Sequence, residues 1–271
     1  MRLLISFLLL VATCSACSLP AQPVEERLDD LGPAIQQLLN DYHAAGLALA
    51  VVDKDKVRFA RGYGFRDVDQ QLPVDEHTVF GIGSITKAFT ASILGQLEVQ
   101  GELDFYDSPQ TYLPELSFST DEMNESIRIH HLLTHSTGLS GFMTESTAIL
   151  FLTENRQALL QRLQHFPPMA AAGERYDYSN MMYTLVGYIG ASITGKSWQE
   201  NVRTRLFAPL SMQDSYTSAR AAQQAANFSL GYAVQDSLYP ATVLPEKVPS
   251  RAPAGDIYSS VSDMSKWMRM W

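Results

Sequence analysis

From residue 35 onward the apolar positions fall into blocks with two periodicities. Ile35, Leu38, Leu39 and Tyr42 recur at helical spacing, and Gly46 is a natural stop. Leu47 to Val52 is an unbroken apolar run, Asp53 to Lys56 a polar turn, and Val57 to Tyr63 alternates. That pattern predicts a β-hairpin ended by Arg61-Gly62-Tyr63-Gly64, with a polar loop over Asp67 to Asp75. Ile85, Ala88, Phe89, Ile93 and Leu97 then fit one face of a helix that stops near Gly101. Asp107-Ser108-Pro109 and Leu113-Pro114-Glu115 punctuate a loop, and Ile127 to Thr134 starts a short element that ends at Thr137-Gly138.

Helices follow over Thr153 to His165, closed by Pro167-Pro168, and over Asn180 to Thr194, with Gly195 in the position that closes a helix. Ser197-Trp198-Gln199-Glu200 is a capping box whose helix ends before Pro209. Ala221 to Phe228 reads as a short helix and Gly231 to Pro253 as loop. Ser260-Val261-Ser262-Asp263 is a second box, followed by Met264, Trp267, Met268 and Trp271 at a spacing of one helical turn. A two-stranded hairpin cannot bury both its faces alone. Either the helices cover it or strands are missing.

The N-terminus follows a different rule. Arg2 is a minimal positive region, Leu3 to Ala12 is apolar, and small residues lead to Ala16. A run of that length is short for a membrane span and suits a signal peptide over residues 1–16. Residues 17–33 are a polar tether, and 34–271 the expected domain. Acylation of Cys17 is a competing reading, which would tether the protein to a membrane as a lipoprotein, although Cys14 stands where an aliphatic residue is usual. Both cysteines lie in this segment, so thiolate nucleophiles and zinc–thiolate sites are excluded from the domain. The expected location is periplasmic or secreted.

Composition narrows the partners. Of 271 residues, 46% are hydrophobic and 18% charged, which is ordinary globular usage. The formal charge of −9 with no basic run argues against nucleic acid. A small-molecule or peptide substrate and a monomer are the simple expectations.

Two stretches could carry chemistry. In Gly81-Ile82-Gly83-Ser84-Ile85-Thr86-Lys87, Ser84 opens a helix and Lys87 follows one turn on, on the same side. A serine attacks a carbonyl only if its proton has somewhere to go, and a neutral amine can take it. The same tetrapeptide also reads as a helix cap beside a solvated lysine. Tyr178-Ser179-Asn180 precedes the next long helix. Its tyrosine could relay protons and its asparagine hold a substrate amide, or the two could be a core aromatic and a cap. His131 and His135, four apart, with His130 adding a third imidazole, raise a metal question. No glutamate follows the first histidine as in zinc proteases, and Thr134 to Gly138 reads as a tied turn. No metal is expected there. Thr194-Gly195-Lys196-Ser197 lacks the earlier glycine of a phosphate loop and follows a helix.

Taken together, Ser84-Ile85-Thr86-Lys87 and Tyr178-Ser179-Asn180 resemble the first two motifs of the serine β-lactamase and penicillin-binding protein superfamily. The surroundings resemble its class C β-lactamase-related branch, through Arg61 to Phe65, His131 to Leu139, Gly173 to Tyr176 and Pro253 to Ser260. The resemblance runs from about residue 34 to the end. It implies an α+β, β-lactamase/transpeptidase-like fold, a small antiparallel sheet flanked by terminal helices with a large helical lobe, and an exported serine hydrolase acting through an acyl-enzyme on an amide, β-lactam or ester. A DD-carboxypeptidase or D-aminopeptidase of cell-wall metabolism is the alternative, and a non-catalytic binding homologue or fragment the alternative of another class. By that resemblance Ser84 would be acylated, Lys87 would help deprotonate it, and Tyr178 would pass protons to the leaving group. Asn180 would orient the substrate, the Ser84 amide would form half of an oxyanion hole, and no cofactor would be needed. The family's third motif, Lys-Thr/Ser-Gly or His-x-Gly, has no match here. It and the last sheet strands are expected beyond Trp271, in a longer chain. The walls that choose a substrate would include loops near Gly141 to Leu152.

Overall fold

The computed structural model describes residue 28 and residues 30–141, 156–233 and 252–270. The signal peptide, Cys17, most of the tether, and most of the Gly141 to Leu152 wall lie outside the described residues.

The hairpin forms where the alternation predicts it. Strand β1 (Gly46–Asp53) pairs antiparallel with β2 (Lys56–Asp67), from Gly46 opposite Gly64 to Asp53 opposite Lys56. Strand β2 does not stop at Gly64. It continues to Asp67 and pairs with β3 (Leu72–Pro73), inside the stretch read as polar loop. The Val74 N–H donates to the Gly64 carbonyl at 3.0 Å, so backbone pairing holds a segment that side-chain patterning does not reveal. Helix α1 (Leu31–Asp41) lies against β2; it buries Leu39 and leaves Leu38 exposed.

Strand β4 (Phe80–Gly81) leads into a 3-10 turn, Gly83–Ile85, and then helix α2 (Thr86–Val99). Gly83 has φ +53°, a left-handed backbone that glycine adopts without the Cβ penalty. The buried positions of α2 include Phe89, Ile93, Leu94 and Leu97, as the periodicity predicts, but also Thr86, Lys87 and Thr90. Ile85, assigned by spacing to the buried face, is 51% exposed. The helix is covered on two sides, because a late segment of the chain lies over the Thr86–Lys87–Thr90 face.

The helical lobe contains α3 (Asp121–Ser126), α4 (Ile129–Leu133), α5 (Arg156–Leu163) and α6 (Asn180–Thr194). Helix α6 runs over the span its pattern predicts and stops at Gly195, whose φ is +66°. It buries Met181, Met182, Leu185, Val186 and Ile189 in a core shared with α2 and α4. Helix α7 (Trp198–Val202) is capped by Ser197 and continues as a π-helical turn, Arg203–Phe207.

Helix α8 (Ala219–Ala222) starts two residues earlier and ends sooner than the alanine run predicts. The Ser218 hydroxyl accepts the Ala221 N–H, setting the start, and Phe228 leaves the helix to bridge with Val79. The chain returns as α9 (Ala252–Gly255), β5 (Tyr258–Ser259) and α10 (Val261–Met268). Strand β5 pairs with β4, Phe80 opposite Ser259 and Gly81 opposite Tyr258. Helix α10 packs on β1, and its Trp267 stacks on Phe89 of α2 at 4.6 Å.

Candidate active site

The start of α2, the loop before α6 and the α9 segment meet at Lys87. Ser84 sits on the 3-10 turn with its side chain exposed, whereas Lys87, one turn inward, is 6% exposed. Its Nζ donates to Ser84 Oγ at 3.2 Å, to Asn180 Oδ1 at 2.5 Å and to the Ala254 carbonyl at 2.7 Å. Three acceptors match the three N–H bonds of an ammonium. Tyr178 OH lies 2.7 Å from Ser84 Oγ and 3.4 Å from Asn180 Oδ1. Lys87 Nζ also sits 4.8 Å from the centre of the Tyr178 ring. All four residues singled out from the sequence therefore converge, and Ser84 Oγ touches both groups that could exchange a proton with it.

Several partners were not legible as such. Ala254 supplies a lysine acceptor through its backbone, so no side-chain motif announces it. Thr90 Oγ1 donates to the Pro253 carbonyl at 2.7 Å and accepts the Trp198 indole N–H at 2.9 Å, pinning α9 to α2. Thr86 Oγ1 accepts the Ile257 N–H at 3.1 Å. Thr86 and Thr90, four apart on one helix face beside Lys87, are the signal that could have marked that face as polar and packed.

His135 closes the tied turn that the sequence predicts, but its hold on the Tyr178 loop was not legible. Its left-handed backbone (φ +57°) closes the turn after α4. Its Nδ1 accepts the Ser179 N–H at 3.1 Å, and its carbonyl accepts the Asp177 N–H at 2.8 Å. Burial, and then the charge of Lys87, hold its imidazole below its ordinary pKa. Burial likewise raises the Tyr183 phenol, helped by Tyr178 and Tyr176. His131 Nδ1 accepts the Arg128 N–H, which makes it part of the α4 cap. Among the described residues no group of three or more His, Cys, Asp or Glu side chains is placed to hold a metal.

The family model described as Beta-lactamase matches residues 32–271. The chain belongs to the beta-lactamase family. Protein flp of Staphylococcus aureus strain MW2 is 28% identical over 87% of this chain and 47% of its own length. The beta-lactamase of Escherichia coli K12 is 26% identical, over 97% of this chain and 64% of its own. A class C beta-lactamase solved in complex with cefoxitin superposes with a TM-score of 0.76 at 28% identity, covering 90% of this chain and 65% of that one. The fold is thus the β-lactamase/transpeptidase-like α+β arrangement that the motifs imply, in a family of serine hydrolases. The chain spans about half the length of the Staphylococcus aureus relative.

Proposed function

We propose that the protein is an exported serine acyl-hydrolase that works through an acyl-enzyme on an amide, β-lactam or ester. The observation that carries this is the pair of contacts at Ser84 Oγ, 2.7 Å from Tyr178 OH and 3.2 Å from Lys87 Nζ. Ser84 Oγ attacks the acyl carbon, and its proton passes to the Tyr178 oxygen, which enters the step as the phenolate beside the Lys87 ammonium. The Lys87 cation stabilises negative charge on either oxygen, and the Ser84 amide at the first helical turn faces the developing oxyanion. Tyr178 then protonates the leaving nitrogen or oxygen as its bond to the acyl carbon breaks. A water, deprotonated by the same phenolate, attacks the Ser84 ester and returns the proton to Oγ. Asn180 Oδ1 is turned to Lys87, which directs its amide N–H groups to the substrate acyl chain.

Family membership and the cefoxitin-bound neighbour support β-lactams as the first substrates to try. Export rests on the residue 1–16 pattern, and tethering through Cys17 is its lipoprotein variant. Intact-mass spectrometry after benzylpenicillin or a fluorophosphonate tests the chemistry. A single adduct on Ser84, absent from Ser84→Ala, is expected. A folded protein that takes no adduct from either reagent overturns the proposal. Hydrolysis of a cephalosporin, a D-alanyl-D-alanine peptide and a short-chain ester then separates lactamase, carboxypeptidase and esterase activity.

A further inference from the structure

We propose that His135 is the positioning residue for Tyr178 and Asn180, a neutral imidazole with its proton on Nε2 that holds the loop ahead of α6 in its working register. The inference rests on the reading of Ser84 as nucleophile for its consequence, but not for its geometry. Tyr178 and Asn180 must reach two different atoms, Ser84 Oγ and Lys87 Nζ, from one short extended segment. A single residue fixes that segment at both ends. The His135 carbonyl takes the Asp177 N–H, and its Nδ1 takes the Ser179 N–H, so the amides on either side of Tyr178 are tied to one histidine. Its ring also lies 4.6 Å from the Tyr178 ring, 5.1 Å from Tyr183 and 5.7 Å from Tyr176. The imidazole is 9% exposed and Ser179 is 1% exposed, so water does not readily replace the bond.

The clamp depends on protonation state. Accepting from Ser179 requires an unprotonated Nδ1, which puts the single proton of the neutral ring on Nε2. A second proton would set an N–H against the Ser179 N–H and a cation near the Lys87 ammonium. The charged and titratable groups around the ring are Lys87 from α2, Tyr176, Asp177 and Tyr178 from the loop, and Tyr183 from α6. The Asp177 carboxylate is turned away, accepting from the Gly141 N–H and from Arg175. The surroundings therefore favour the neutral ring.

Two variants separate the acceptor from the ring. His135→Asn keeps an acceptor near the Nδ1 position, tolerates the left-handed backbone and cannot titrate. His135→Phe keeps a ring against the tyrosines and removes the acceptor. Hydrogen exchange at the Ser179 amide, measured relative to Val186 in α6, reads the clamp without any activity. Protection is expected to survive in the Asn variant and to fall at least tenfold in the Phe variant. Fluorophosphonate labelling of Ser84 reads the consequence. The wild-type rate should fall along a one-proton limb below the ordinary imidazole value of 6.5, the Asn variant should lack that limb, and the Phe variant should label at least tenfold more slowly at pH 7.5. Unchanged Ser179 protection in the Phe variant, or an acid limb that persists in the Asn variant, overturns the proposal. If the wild type takes no label, the nucleophile reading fails, and Ser179 exchange still decides the clamp.

Discussion

Thr90 shows how much a site residue can depend on one it never touches. Its hydroxyl accepts from the Trp198 indole and donates to the Pro253 carbonyl, with no exposed surface. Thr90→Val keeps the shape and leaves an indole N–H and a carbonyl without that partner. Each such loss costs about 1–3 kcal/mol. We expect urea unfolding to show a loss of about 2 kcal/mol or more. Ser84 labelling should also slow, because Pro253 precedes the Ala254 carbonyl that holds Lys87. A Val variant as stable as wild type would remove Thr90 from this account. Gly83 is a simpler case. Its φ is +53° and nothing lies within 4 Å of where a Cβ would stand, so Gly83→Ala meets only the backbone penalty. That penalty is about 1–2 kcal/mol. It should appear as a lower thermal midpoint, and Gly83→Asn should recover part of it.

Among elements, the α2–α6 pair governs the rest, since α2 carries Lys87 and follows directly on the turn that holds Ser84, and α6 begins at Asn180. Leu94 and Ile189 are fully buried in the core these helices share. Ile189→Ala is expected to cost about 2–5 kcal/mol, the range for a large-to-small change in a packed core. A calorimetric loss below 1 kcal/mol would mean the interface relaxes freely. Helix α10 depends instead on its cap, where the Ser260 hydroxyl accepts the Asp263 N–H at 3.2 Å. Ser260→Ala should cost about 1 kcal/mol by the usual capping range. The Ser260 hydroxyl also donates to Asp214 at 3.4 Å, so hydrogen exchange should rise in α10 and around Asp214 while α6 stays protected. Gly141 joins elements differently. A Cβ there would overlap the Tyr178 carbonyl oxygen, so any larger residue displaces the loop that presents the phenol.

For the whole molecule, long-range polar ties close the fold and give it a pH response. His77 hydrogen-bonds Asp214 at 2.8 Å across 137 residues. That bond is the main reason its pKa is raised from the ordinary 6.5. A raised folded-state value means the contribution is fully present below about 6.5 and is lost as pH rises through the folded value. The stability difference between wild type and His77→Gln should therefore be larger at pH 5.5 than at pH 8.5 when read by urea midpoints. Its size should stay under about 1 kcal/mol, because the pair is solvent-exposed and screened. His135 has the opposite sign. Its lowered pKa gives a contribution present above 6.5 and lost as pH falls through the folded value.

By itself the sequence determined what is short-ranged. The hairpin, α2, α6 and the Ser197 and Ser260 caps follow from periodicity and capping chemistry that act over a few residues. The two-residue strands β3, β4 and β5 did not, because pairing between Gly81 and Tyr258 leaves no local pattern in either segment. The four site residues were legible as motifs, but not as a site. Tyr178 and Ser84 are 94 residues apart, and only the packing of α6 on α2 sets their hydroxyls 2.7 Å from each other. Tertiary structure alone buried Lys87 on a face that spacing treats as solvated, and found its third partner 167 residues away. It also turned His135 from a turn residue into a clamp. The physical reason is common to these cases. A backbone carbonyl, a buried face and a ring nitrogen acquire their roles from what the folded chain brings against them, and that is not encoded in any neighbouring residue.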